Sequence, residues 1–191
     1  PMAQSAFTTC MNSGKPEIYT AVSAPVAAST ANDGGKSDYN VTGTCVVLAA
    51  RPYQTDPLVN HNLPAMFTEQ GVPVLTADSV PGMREVDLSR SRLDIANNYH
   101  ARILSCALIA ARTEGLEFAQ IASFGCGHDA YLADEAARLM HEVSGKRPLL
   151  LKVDESAAEG ALRIRVRSFL ETTRIRRAAG EDADAGRELP D

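Results

Sequence analysis

Apolar positions along the chain fall into four short unbroken runs, separated by stretches in which they recur at helical spacing. The first run, Thr44–Ala50, reads as a strand covered on both faces. Arg51–Asp56 turns the chain, and Pro57 opens a predicted helix to Gln70, closed by Gly71. Val72–Thr76 is a second strand, and Ala77–Ser89 a loop marked by Pro81-Gly82. A long helix is predicted over Ser91–Thr113, with Ile95, Tyr99, Ile103 and Cys106 on one stripe. Glu117–Phe124 is the third strand, Gly125-Cys126-Gly127 a tight turn, and Asp129–Val143 a helix. Leu149–Val153 is the fourth strand, and a last helix is predicted over Ala157–Ala178.

Strands alternating with helices imply a parallel sheet with helices on both faces and right-handed crossovers. The expectation is an α/β fold, a small doubly wound, flavodoxin-like or Rossmann-like three-layer sheet of order 2-1-3-4 in these four strands. Residues 1–15 carry no assignment, 16–178 form the domain, and the acidic 179–191 is expected to be a disordered tail. A further helix is predicted within Pro16–Thr30, ahead of a loop at Asn32–Gly43.

The 191 residues are 45% hydrophobic and 23% charged, ordinary globular values that suit a single core. No apolar run of ~18 residues is present, so no membrane span is expected. The first residues lack a secretory pattern. A net charge of −5 without a basic stripe argues against nucleic acid. The arginines between Arg163 and Arg177 recur along the last helix and read as a solvated face. Cys10, Cys45, Cys106 and Cys126 form no CxxC pair, and four scattered thiols suit a reducing, cytoplasmic compartment. Opening at Pro1-Met2, the chain is expected to be a piece of a longer protein.

Candidate chemistry collects after the strands. Those loops carry Arg51, Tyr53 and Asp56 with Asn60 and His61 just beyond; Asp78 and Ser79; Gly125, Cys126, Gly127, His128 and Asp129; and Asp154 and Glu155. In an open α/β sheet all of them lie along the carboxyl edge, where ligands bind. Cys126 stands between two glycines that allow close approach of a bulky ligand. It also precedes a helix whose amides favour a thiolate, the form that serves as metal ligand or nucleophile. Cys45 and Cys106 read instead as packing residues.

Two rivals share the Cys126 loop. Gly125-Cys-Gly-His-Asp-Ala130 matches a dinucleotide fingerprint but follows the third strand rather than the first. Cys126, His128, Asp129 and His61 together form a zinc alternative without paired-ligand spacing. A phosphoacceptor receiver would need clustered aspartates after the first strand, where Asp56 stands alone.

Four linked segments resemble the acyl-CoA dehydratase activase-related family, that is, 2-hydroxyacyl-CoA dehydratase activator and dehydratase-like proteins. Leu48–His61 (LAARPYQTDPLVNH) is similar to its GRPYH-x-DP-x-x-NH signature, and Val74–Val80 to its VLTxDSI. Ala122–Ala130 resembles SFGCGPDA, and Leu151–Glu155 with Gly160 and Arg163–Phe169 resembles its ending. Ala50 replaces a Gly, Gln54 a His and His128 a Pro, so position 54 lacks the imidazole that a proton-transfer or ligand role there would use.

The resemblance implies a C-terminal domain of a long cytoplasmic protein joining an ATP-hydrolysing activator module to dehydratase-like modules. An electron of low potential passes between iron–sulfur clusters, and an acyl-CoA is the implied substrate. Cys126 matches a strand-end cysteine that holds a 4Fe-4S cluster. A four-iron cluster takes four thiolates, so the other ligands are expected from other domains, and the chain alone should hold no stable cluster. Gly125 and Gly127 would give backbone access. Arg51, Tyr53, Asp56, Asn60 and His61 would line the approach, and Asp78, Ser79, Asp154 and Glu155 would complete the rim. The alternative is a non-redox module that binds a CoA thioester or nucleotide phosphate at a helix N-terminus, or that serves as a docking scaffold.

Overall fold

The computed structural model describes residues 18–19, 44–95, 97–123, 127–153 and 158–180. Within these, β1 (Ile18–Tyr19), β2 (Cys45–Ala49), β3 (Val74–Thr76), β4 (Leu116–Ser123) and β5 (Leu149–Val153) form one sheet of order β1-β3-β2-β4-β5. Every neighbouring pair is parallel. The four expected strands therefore run in the expected order. β1 is an addition, in register with β3 through Ile18–Val74 and Tyr19–Leu75. It lies where a helix was predicted; the remainder of that helix and residues 181–191 of the acidic tail fall outside the described residues.

Four α-helices connect and cover the strands: α1 (Leu63–Thr68), α2 (Asn98–Arg112), α3 (Gly127–Ser144) and α4 (Glu159–Ala178). Side-chain alternation assigns each strand residue to a face. Cys45, Val47 and Ala49 of β2 join Leu75, Leu116 and Phe118 in a core closed by Leu104 and Leu108 of α2 and Leu132 and Leu139 of α3. Val46 and Leu48 point the other way and join Val74, Ile121 and Leu151 under Phe67 of α1 and Leu162 and Val166 of α4. Two helices per face make the doubly wound arrangement expected.

Two helices are shorter than predicted. The stretch from Pro57 does not run straight into α1, because His61 and Asn62 take left-handed φ values of 51° and 56° that interrupt the helix. Pro52–Thr55 instead forms a 3-10 turn, and α1 begins afresh with Pro64 in its first turn. Likewise α2 starts at Asn98, not Ser91. The Arg92 amide is drawn away to Glu135 Oε1 on α3 at 2.7 Å, while Asn97 caps the helix by accepting from the Tyr99 and His100 amides.

The reading of the α4 arginines as a solvated face needs correcting at its C-terminal end. Arg176 pairs with Glu117, a fully buried β4 residue, and Arg177 donates to the Thr44 hydroxyl. Long stems let these side chains lie along the core while their heads reach polar partners.

Candidate functional site

The chain leaves β2 toward β3 on one side and β4 toward β5 on the other, so the switch point of the sheet lies between β2 and β4. Their carboxyl ends open the crevice where ligands bind in such sheets. One ion pair spans it: Arg51 Nη2, following β2, donates to Asp129 Oδ1, in the first turn of α3, at 2.5 Å. The Asp129 side chain is 4% exposed and that of Arg51 28%. The pair is thus anchored on its acidic side and open on its basic side.

Arg51 is positioned by the turn that follows it. Its amide donates to Gln54 Oε1 at 2.7 Å, and the Gln54 amide donates back to the Arg51 carbonyl at 2.9 Å. Asn60 Nδ2 donates to the Gln54 carbonyl at 2.9 Å. Gln54 and Asn60 are both buried, and Gln54 Nε2 and Asn60 Oδ1 have no hydrogen-bond partner among the described residues. Gln54 therefore shapes the loop from beneath.

His100, in the first turn of α2, stands with its ring 5.9 Å from that of His128, one residue before Asp129. Burial, His128 and the Arg51 guanidinium hold the His100 imidazole below the ordinary histidine value, while Asp129 opposes them. Sequence reasoning missed His100. It belongs to a helix far from the loop motifs, and only the Asn97 cap sets its position in the first turn.

The remaining expected residues divide. Tyr53 is half-exposed, and Asp56 is exposed and accepts from the Leu58 amide at 2.8 Å. His61 is half-buried in its left-handed turn. Asp78 pairs with Arg102 of α2. Ser79 is buried, its hydroxyl 3.2 Å from that of Thr76, and so shapes its loop from beneath. Gly127 starts α3, and a Cβ built there meets nothing within 4 Å, so its outer side is open. Gly125, Cys126, Asp154 and Glu155 lie outside the described residues, as does Cys10.

The two described cysteines are not available as thiolates. Cys106 is buried and free, and loss of solvent pushes its thiol up to about 12. Cys45 is disulfide-bonded, which corrects the expectation of four thiols. Among the described residues no three His, Cys, Asp or Glu side chains gather as metal ligands, and no helix is long and apolar enough to cross a membrane.

Fold and rim together define an all-parallel α/β domain with a basic group anchored at its switch point. A family model described as CoA enzyme activase uncharacterised domain matches residues 2–80. That match bears out the resemblance to the acyl-CoA dehydratase activase-related family. It contains the Arg51–His61 and Val74–Val80 motifs, while the Cys126 motif lies beyond its end. No curated protein and no solved structure matches the chain.

Proposed function

We propose that the chain is the domain of an acyl-CoA dehydratase activase-related protein that completes an iron–sulfur site used in ATP-driven, low-potential electron transfer. Cys126 is the thiolate it contributes. The carrying observation is the Arg51–Asp129 pair across the switch-point crevice. Ser123 ends β4 and Gly127 begins α3 at that crevice, on either side of Cys126 in sequence. The open space at Gly127 suits a bulky group, and a partly exposed guanidinium suits the anionic charge of a thiolate-bound cluster.

The donor set bounds the proposal. A 4Fe-4S cluster takes four thiolates, whereas Cys106 is a buried thiol and Cys45 is committed to a disulfide. The residues present fit the surroundings of a cluster and not its full ligation, so no electron-transfer step is assigned to this chain by itself. The missing ligands belong to dehydratase-like modules of the same protein or complex, with the ATP-hydrolysing activator module as electron donor. Iron and acid-labile sulfide, measured in the anaerobically purified protein with all its modules, should be present in the parent and lost in Cys126→Ala. Unchanged iron in that variant overturns the ligand assignment.

A second reading is favoured by the placing of His100, whose ring stands 5.9 Å from that of His128 and adds an N–H donor to the rim. On it the same rim binds the phosphates of a CoA thioester or nucleotide without redox chemistry. CoA should then raise the melting temperature of the chain, pantetheine lacking the nucleotide should not, and thiol blocking should leave the shift unchanged.

A further inference from the structure

A second feature lies away from the crevice. β5 is the outermost strand on its side of the sheet, and between it and α4 runs a trough of about 630 Å³. Ile164, Ser168, Thr172, Ile175 and Ala179 line it and recur every three or four residues, so they share one face of α4. Ile164 is 69% exposed and Ile175 63%, high values for large aliphatic side chains aligned on one face. Ser168 and Thr172 between them are small, leaving a gap in which the ridge of another helix can seat. Pro148 and Leu149 form the opposite wall. Thr173 Oγ1, in the same lining, is buried without a hydrogen-bond partner among the described residues.

Charge and the strand edge decide the occupant. Among the described residues Arg147, Arg165 and Arg176 line the trough and no Asp or Glu does; Arg176 pairs with Glu117, while Arg147 and Arg165 pair with no described carboxylate. Arg165 Nη2 donates to the Leu150 carbonyl at 2.8 Å, so a carbonyl of the edge strand is taken and a charge stands over it. That arrangement opposes the addition of a sixth strand. A helix remains. From Ile164 to Ala179 the α4 face runs about 22 Å at the helical rise, the length of a partner helix of about 15 residues. We propose that this trough docks an amphipathic helix of a partner polypeptide, its apolar stripe flanked by Asp and Glu.

The test uses the 191-residue chain and two labelled synthetic helical peptides with the same leucine stripe, one flanked by Glu and one by Lys, followed by fluorescence anisotropy. The Glu peptide should bind at least tenfold more tightly than the Lys peptide, and more weakly as salt is raised. Ile164→Glu with Ile175→Glu, and separately Arg147→Glu with Arg165→Glu, should each weaken it at least tenfold. All four side chains are exposed, and circular dichroism checks that the variants fold. Equal affinity for both peptides, no binding of either, or indifference to both double variants overturns the proposal. So does concentration-dependent dimerisation lost in Ile175→Glu, which makes a second copy the occupant. Binding that appears only when Glu181→Gln, Asp182→Asn and Asp184→Asn neutralise the tail makes the chain's own tail the occupant, and overturns it likewise.

Discussion

Asp129 is nearly sealed from solvent while Arg51 is not, and the asymmetry predicts different consequences for removing each partner. Arg51→Met removes the ion-pair partner of a buried carboxylate and should destabilise the chain by about 2 kcal/mol in urea unfolding, whereas Asp129→Asn leaves a partly exposed guanidinium and should lose only about 1 kcal/mol. Equal losses would show that the pair is not anchored as described. Beside it, His100 titrates below its ordinary value of 6.5, chiefly through burial, then through His128 and Arg51. In the folded chain the neutral imidazole is therefore favoured, and the unfolded chain takes up the proton first as pH drops. Its stability contribution is complete above about 6.5 and is lost as pH falls toward the folded-state value. Glu135, held low mainly by its hydrogen bond from Arg138, acts separately, below its ordinary 4.5. Urea unfolding between pH 7.5 and 5.5 should show a decline in the parent that His100→Gln flattens. An identical slope in both would remove His100 from the account.

Strand runs were legible because a parallel sheet buries both faces, so each strand is an apolar block bounded by turn residues. Helix starts were less legible. Apolar spacing continues upstream of α2 at Leu93 and Ile95, and these residues do pack on the core, but as a loop held by the Arg92 amide on Glu135. Periodicity reports which side chains are buried, not whether the backbone between them is helical. The boundary is set by Asn97, whose side-chain Oδ1 accepts from two otherwise orphaned amides at 3.1 and 3.0 Å. Asn97→Ala should accordingly lower stability by about 1 kcal/mol, and Asn97→Asp, which keeps the acceptor, should leave it nearly unchanged. Thermal unfolding of the two variants beside the parent checks this, and a matching loss in both would mean that the cap does not hold the helix start.

At the scale of the whole molecule, sequence reading placed the polar residues on one sheet edge because loop order alone decides that. It could not pair Arg51 with Asp129, 78 positions later, or bring His100 to the same crevice, since neither follows from local pattern. The same limit applies at the opposite edge. Lys146 sits in Ser-Gly-Lys-Arg-Pro, a stretch that reads as plain turn, yet it is fully buried. Its ammonium donates to the carbonyls of Ala110 at 3.0 Å, Thr113 at 2.8 Å and Leu116 at 3.0 Å. These carbonyls belong to the end of α2, the turn after it and the start of β4, so one charge satisfies the helix terminus and joins it to the segment that leads into β5. An isosteric apolar side chain would fill the space and leave three acceptors unsatisfied. Lys146→Met should therefore destabilise the chain by about 3 kcal/mol or more. Lys146→Arg should not restore it, because a planar fork cannot direct its donors at three converging carbonyls as an ammonium does. Chemical unfolding of both variants decides the matter: a loss near zero in Lys146→Met, or full stability in Lys146→Arg, would mean that the carbonyl cage does not hold these elements together.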